Sequence, residues 1–295
     1  MSGYELLARA LAACGRDGFT GELRVPGSPG GTFHLRGGLV VAVESPGAPG
    51  PEALLLRSGR IGGEQWAELV RESGGARWPA EALIAHGWAG AAQLRVVCVM
   101  ALHDAAFAIT AGRIDDCEAV PGAAPPAAPL PVGEAPTRLL QDAARKLAAI
   151  DALPYPVRPE RERPVPALVS CVGARLGALQ QELLAHADGR RTARDLAFRT
   201  GRGVYTVTVE LARMLSEGFL ECPGAPAPIP VRLPPDGHGV RPREPAPPIP
   251  PEAPGRPPVL PHRRPGASGI TEALTPPKNG ASWKEFFRLR NPTVK

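Results

Sequence analysis

"GRRTARDLAFRTGRGVYTVTVELARMLSEGFL", from Gly189 to Leu220, decides how the second half of the chain folds. Thr192 and Asp195 form a capping-box-like pair that opens a short helix, with Ala193, Leu196 and Ala197 turned inward. "TGRG" (200–203) is a turn, and a longer helix runs from about Val204 to Ser216. At about 100° per residue, Val204, Val207, Thr208, Leu211 and Leu215 share its inward face. Arg202, Thr206, Val209 and Arg213 lie opposite, with Tyr205 beside them. "GFLECP" (218–223) reads as a closing strand. Upstream, "LGALQQELLAHADG" (176–189) reads as a helix ending at Gly189, a residue suited to the left-handed C-terminal position.

Asp188, Gly189, Thr192, Leu196, Ala197, Val207, Leu211, Leu215, Gly218 and Leu220 fall in the order of a helix-turn-helix closed by a strand. Over 168–222 the chain therefore resembles the winged-helix group of bacterial regulators, MarR-like proteins among them. The resemblance implies a helix that enters the major groove of double-stranded DNA. Arg202, Tyr205, Thr206 and Arg213 would then reach base edges, and Arg190, Arg191, Arg194 and Arg199 would hold phosphates. Pro223, Pro226, Pro228 and Pro230 follow almost at once, so a second wing strand has no room. Glu210 and Glu217, on or near the exposed face, would repel a phosphate backbone. The alternative is a solvated arginine-rich face on a small interaction domain.

Working toward the N-terminus, Tyr4, Leu7, Leu11 and Cys14 recur at helical spacing, so an amphipathic helix is expected first. Two or three antiparallel strands follow, at 19–25, 31–36 and 39–44, split by "PGSPGG" and "RGG". "GPEALLLRSGRIGGEQWAELVRES" (50–73) reads as two helices, the second carrying Trp66, Leu69 and Val70. Helical pattern returns over 80–108 with a break at Gly87, "GRIDDCEAV" (112–120) is one more short strand, and 137–151 is a well-patterned helix. Phe19, Gly21 and Leu23, then Phe33, Leu35, Gly37 and Gly38, then Leu39, Val40 and Ala42 match a strand–glycine turn–strand pattern continued by the helix "PEALL". That stretch resembles the PATAN family, a domain of unknown function at the head of PatA-type response regulators. The resemblance implies protein interaction within signalling assemblies and no catalysis.

Composition sets the outer limits. Of 295 residues 37 are proline and 34 glycine, and 20 of the prolines fall in 223–295. A Pro/Ala/Arg-rich stretch of that kind cannot bury enough apolar surface to order itself. The net charge of +5 is divided unevenly. Residues 1–164 carry 16 basic and 18 acidic side chains, 165–222 carry 7 and 6, and 223–295 carry 11 and 5. Non-specific affinity for nucleic acid comes from neutralised phosphates, so the helix-turn-helix candidate is nearly neutral and the basic excess sits in the tail. Arginine outnumbers lysine 30 to 4, the bias of a GC-rich bacterial genome.

Catalytic and metal chemistry find little support. Cys14, Cys98, Cys117, Cys171 and Cys222 make no Cys-x-x-Cys pair, and they read as reduced, buried or half-buried thiols. His34, His86 and His103 lack metal-ligand spacing. His103 and Asp104 are adjacent on a helix and diverge, so they read as a helix-surface pair rather than a base with its orienter. The glycine loops match no phosphate-binding pattern, and hairpin turns explain them. No enzyme, cofactor or metal is expected. Glu5 and Arg9 interrupt what a signal peptide would need, and the apolar run at 96–102 is short for a membrane span, so a cytoplasmic protein is expected.

"ASWKEFFRLRNP" (281–292) departs from the tail around it. Ser282 and Glu285 form a capping box, Pro292 stops the helix, and Trp283, Phe286, Phe287 and Arg290 lie along one side. A short amphipathic helix on a tether has the form of a helix-in-groove ligand for another protein or for its own N-terminal domain. It is too short for stable membrane anchoring.

The expected fold class is α+β. A PATAN-like interaction domain (1–152) is followed by a Pro-rich linker (153–167) and a mostly helical winged-helix-like domain (168–222). A disordered tail (223–280) and a short amphipathic helix (281–291) complete the chain. Two functions fit: an adaptor that meets protein partners through its N-terminal domain and C-terminal helix, or a transcriptional regulator that binds an operator, as a homodimer, through the 204–216 helix. Near-neutral charge and the missing wing favour the adaptor.

Overall fold

The computed structural model describes residues 2–167 and 176–223. The expectations of a disordered tail and of a helix carrying Trp283, Phe286, Phe287 and Arg290 lie outside these residues, as does Cys171.

Helix α1 (Gly3–Arg16) is opened by a complete capping box between Ser2 and Glu5, and of the expected face it buries Leu7, Leu11 and Cys14, while Tyr4, in its first turn, is exposed. Strands β1 (Gly21–Val25), β2 (Gly27–Ser28), β3 (Gly31–Arg36) and β4 (Leu39–Glu44) follow. Gly37 and Gly38, at φ +57° and +80°, make the two-residue turn between β3 and β4 that suits the right-handed twist of a hairpin. β1 and β3 pair antiparallel with Leu23 opposite Phe33 and Glu22 opposite His34, so Leu23 and Phe33 share the core face while Glu22 and His34 share the other, where His34 is itself buried. The β4 edge is partly covered, since Val40 bridges to Glu134 and the Leu130 N–H donates to the Val41 carbonyl.

Three short helices, α2 (Pro51–Arg57), α3 (Gly63–Glu72) and α4 (Ala80–Ala85), surround a satellite core of Leu55, Ile61, Trp66, Leu69, Leu83 and Leu94. Helix α5 (Ala91–Ala111) comes next and runs through the main core. Its length and composition would suit a membrane span, yet most of it is buried inside the protein, where a helix apolar on every side belongs. The single strand expected at 112–120 is two, β5 (Arg113–Ile114) beside β2 and β6 (Glu118–Pro121) beside β1, which gives a principal sheet in the order β4-β3-β1-β6. Helix α6 (Pro136–Asp151) lays Leu139, Leu140 and Ile150 into the same core. The fold is thus mixed α and β with an N-terminal antiparallel sheet.

The last elements are β7 (Val165–Pro166), α7 (Ala178–His186), α8 (Ala193–Thr200), α9 (Val204–Ser216) and β8 (Leu220–Glu221). Helix α7 stops at His186, short of Gly189. Among the described residues β8 pairs with β7, which precedes the helices, so the closing strand finds its partner upstream. The stretch expected to be a Pro-rich linker, 153–167, is exposed or half-buried over most of its length but is tied to the fold at Val157, Pro159 and Pro164, which are buried. The Arg194 N–H donates to the Pro159 carbonyl, and the Gly189 N–H donates to the Pro164 carbonyl. One apolar cluster includes Leu7, Phe33 and Phe107 as well as Leu183, Leu196, Val204 and Met214. Two domains were expected from the proline run; the buried side chains on either side of it belong to one core.

Candidate functional site

The α8–α9 segment folds locally as its sequence asks. The Thr192 side chain accepts from the Asp195 N–H while the Asp195 carboxylate accepts from the Thr192 N–H at 3.0 Å and the Thr192 hydroxyl at 2.9 Å. Burial raises the Asp195 pKa, but these donors and Arg194 outweigh it and hold the carboxyl below its ordinary value. Gly201 ends α8 in the left-handed region. Helix α9 buries Val204, Val207, Thr208, Leu211, Ala212 and Met214, while Leu215 is half-exposed.

What α9 packs against could not be read from its own sequence. Its N-cap residue is Gly203, which has no side chain to satisfy the first helical amides. Asp104, a buried residue of α5, takes that part from across the chain. Its Oδ2 accepts from the Val204 N–H at 2.7 Å and its Oδ1 from the Tyr205 N–H at 3.1 Å. A carboxylate at a helix N-terminus also meets the positive end of the helix dipole. A β-carbon at Gly203 would stand 3.1 Å from Asp104 Oδ1, so glycine allows the approach. Burial raises the Asp104 pKa above its ordinary value, opposed by the two amides and by Lys146.

Aromatic and cationic groups extend this contact. Tyr205 meets Phe107, also on α5, edge to face with ring centroids 5.4 Å apart. Lys146 of α6 lies with Nζ 5.5 Å from the Tyr205 ring centroid and 2.9 Å from Asp142 Oδ2. His103 Nδ1 is 3.2 Å from the same Asp142 oxygen. His103 and Asp104 thus point to different partners, as adjacent helical residues must, but the expected surface pair is wrong for Asp104, which is 6% exposed.

The residues singled out for DNA contact divide into two sets. Arg191 pairs with Asp188 at 2.9 Å, Arg194 with Glu160 at 2.7 Å and Arg213 with Glu210 at 3.6 Å, and Tyr205 is half-buried against Phe107. Arg190, Arg199, Arg202 and Thr206 are exposed and make no side-chain ion pair among the described residues. Arg199 and Arg202 flank the Gly201 turn, and Thr206 begins the exposed face of α9.

Cys14 and Cys98 are buried and Cys117 half-buried, as expected, whereas Cys222 is exposed. Burial pushes the Cys98 and Cys117 thiols up to about 11, away from the thiolate a nucleophile requires. Among the described residues, His, Cys, Asp and Glu side chains form no group of three or more that could hold a metal ion.

Comparison with family models, with curated proteins and with solved structures finds no match.

Asp104 is the position sequence reasoning missed. Two signals pointed to it: an aspartate in the apolar stretch "VVCVMALHDAAFAIT" (96–110), and a long helix that starts at a glycine with no capping side chain.

Proposed function

We propose that this chain is a non-enzymatic bacterial regulatory protein of the cytoplasm, an adaptor. A PATAN-like N-terminal domain meets a protein partner, and a winged-helix-like module is joined to it as a docked element. The observation that carries this reading is the capture of the α9 N-terminus by Asp104. A DNA-reading helix offers its N-terminal residues to base edges in the major groove. Here the amides of Val204 and Tyr205 are bound to a buried carboxylate, and Tyr205 leans on Phe107. Three of the arginines that would hold phosphates or bases are engaged in ion pairs with Asp188, Glu160 and Glu210.

The second reading, a MarR-like transcriptional regulator, draws on the exposure of Arg199, Arg202 and Thr206 around the turn. Binding of the full chain to genomic DNA fragments across a salt series separates the two. The adaptor reading expects only weak binding that disappears with salt and is unchanged in Arg202→Ala with Arg213→Ala. Retention of discrete fragments, lost in that double variant, would replace it with the regulator reading.

A further inference from the structure

A half-open cavity of about 470 Å³ lies between α5, the end of β4 and the loop that leads into α2. Its origin is a run of small side chains. Cys98, Ala101 and Ala105 lie on one face of α5, and where larger residues would reach the sheet they leave a floor open between α5 and Val43. The rim is braced. The Ser45 hydroxyl donates to the Gly30 carbonyl at 2.7 Å and accepts from the Gly47 N–H at 3.0 Å, and Pro46, Pro49 and Pro51 stiffen the chain that follows. Trp78 forms a wall. The space is therefore pre-formed, of the size and largely apolar character usual for small-molecule sites.

The polar groups in this lining are few and mostly of one sign. Glu44 and Glu52 contribute carboxylates, and Arg77 is the one basic residue among the lining residues. Neither carboxylate accepts a side-chain hydrogen bond or an Arg or Lys ion pair among the described residues; the nearest basic group to Glu44 is His34, with Nε2 at 3.9 Å from Oε2. That imidazole holds the Glu44 carboxyl below its ordinary value against the opposing effect of burial, and Arg77 adds to it. His34 is itself 7% exposed, and its Nε2 has no hydrogen-bond partner. A buried polar atom left so costs free energy unless something completes its surroundings. Glu44 thus lines the cavity as a carboxylate with no Arg or Lys ion pair among the described residues, and His34, which is not part of the lining, is its one close basic neighbour.

We propose that the cavity binds a small organic cation with an apolar body, of the aryl- or alkylamine class. The ammonium donates to Glu44, with Glu52 adding negative potential at the mouth. The apolar body lies over Ala101 and Ala105 against Trp78, whose ring face also attracts positive charge. Such a ligand would make the N-terminal part of the chain a sensor as well as an interaction domain, a property that stands whether the α8–α9 module meets protein or DNA.

Three probes that share a phenethyl group test this on the full chain by titration calorimetry and ligand-observed NMR at neutral pH: phenethylamine, the neutral 2-phenylethanol and the anionic 3-phenylpropionate. Saturable binding of phenethylamine is expected, on the order of tenfold tighter than the alcohol, with the anion weakest, since the Glu44 carboxylate, half-exposed at the mouth, attracts an ammonium, is indifferent to a hydroxyl and repels a carboxylate. Glu44→Gln should bring amine and alcohol to equal affinity, and Ala101→Leu, which fills the floor, should abolish both. If Ala101→Leu does not fold, the Glu44→Gln comparison decides alone. No saturable binding of phenethylamine to the wild-type chain, an anion bound as well as the amine, or an amine preference that survives Glu44→Gln would each overturn the proposal.

Discussion

The Asp104 Oδ2 accepts the backbone N–H of Val204 at 2.7 Å, joining two residues separated by 100 positions. This contact caps a helix from outside its own segment. Helix α9 begins at a residue with no capping side chain, and α5 supplies the acceptor from a position it otherwise fills with alanine, leucine and phenylalanine.

Removing the acceptor strands two amides in a buried place. Asp104→Ala is expected to cost about 2–3 kcal/mol, between the worth of an N-cap and that of a buried charge-assisted hydrogen bond. Asp104→Asn should fall in between, because one oxygen still accepts while the amide nitrogen faces an N–H. Urea unfolding of both variants checks this. A loss below about 0.5 kcal/mol in Asp104→Ala, the range of an ordinary surface substitution, would contradict it.

Gly203→Ala tests the same contact from the other side. Its β-carbon would press on Asp104 Oδ1 at 3.1 Å. The substitution should be destabilising in the wild-type chain and nearly neutral once Asp104 is alanine, giving a coupling of about 0.5–2 kcal/mol in a double-mutant cycle. Additive effects would mean that the carboxylate is not what Gly203 accommodates.

Tyr205 distinguishes packing from DNA contact. Its ring is half-buried on Phe107, and its hydroxyl makes no hydrogen bond among the described residues. Tyr205→Phe should stay within about 0.5 kcal/mol of wild type, and Tyr205→Ala should lose about 2 kcal/mol, less than a fully buried aromatic. Thermal unfolding of the two variants is sufficient.

Acid should loosen the α8 cap. The Asp195 pKa in the folded chain lies below the ordinary 3.8, so the unfolded chain takes up the proton first as pH falls. The stability contributed by this carboxylate is complete above that ordinary value and is lost as pH falls through the folded value. The difference in unfolding free energy between wild type and Asp195→Ala should therefore be constant near neutrality and shrink below about pH 4. A difference that grows with acid would reverse the assignment.

Local order was legible in the sequence. The α9 boundaries, the Thr192–Asp195 box, the α1 face and the strands at 31–36 and 39–44 all follow from spacing, capping and turn chemistry within a few residues. What escaped is non-local. Prolines at 154–166 suggested a spacer, but proline fixes backbone direction without excluding burial, and Val157 sits in the core with both neighbouring carbonyl partners engaged nearby. The break at Gly87 was visible, while the length of α5 was not, because its burial on every side erases the period that marks a surface helix. Asp104 left only a chemical anomaly, a carboxylate among apolar neighbours, and its partners lie in another part of the chain. The cavity left still less, since alanines at 101 and 105 look like ordinary helix formers.

Hydrogen exchange at the Val204 and Tyr205 amides tests the docking of α9 most directly. If Asp104 holds the helix, both amides in the wild-type chain exchange as slowly as the core of α9, and both become fast in Asp104→Ala while the middle of α9 stays protected. Fast exchange at both positions in the wild-type chain, with the rest of α9 protected, would mean that the leading end of the helix is open to solvent and to DNA.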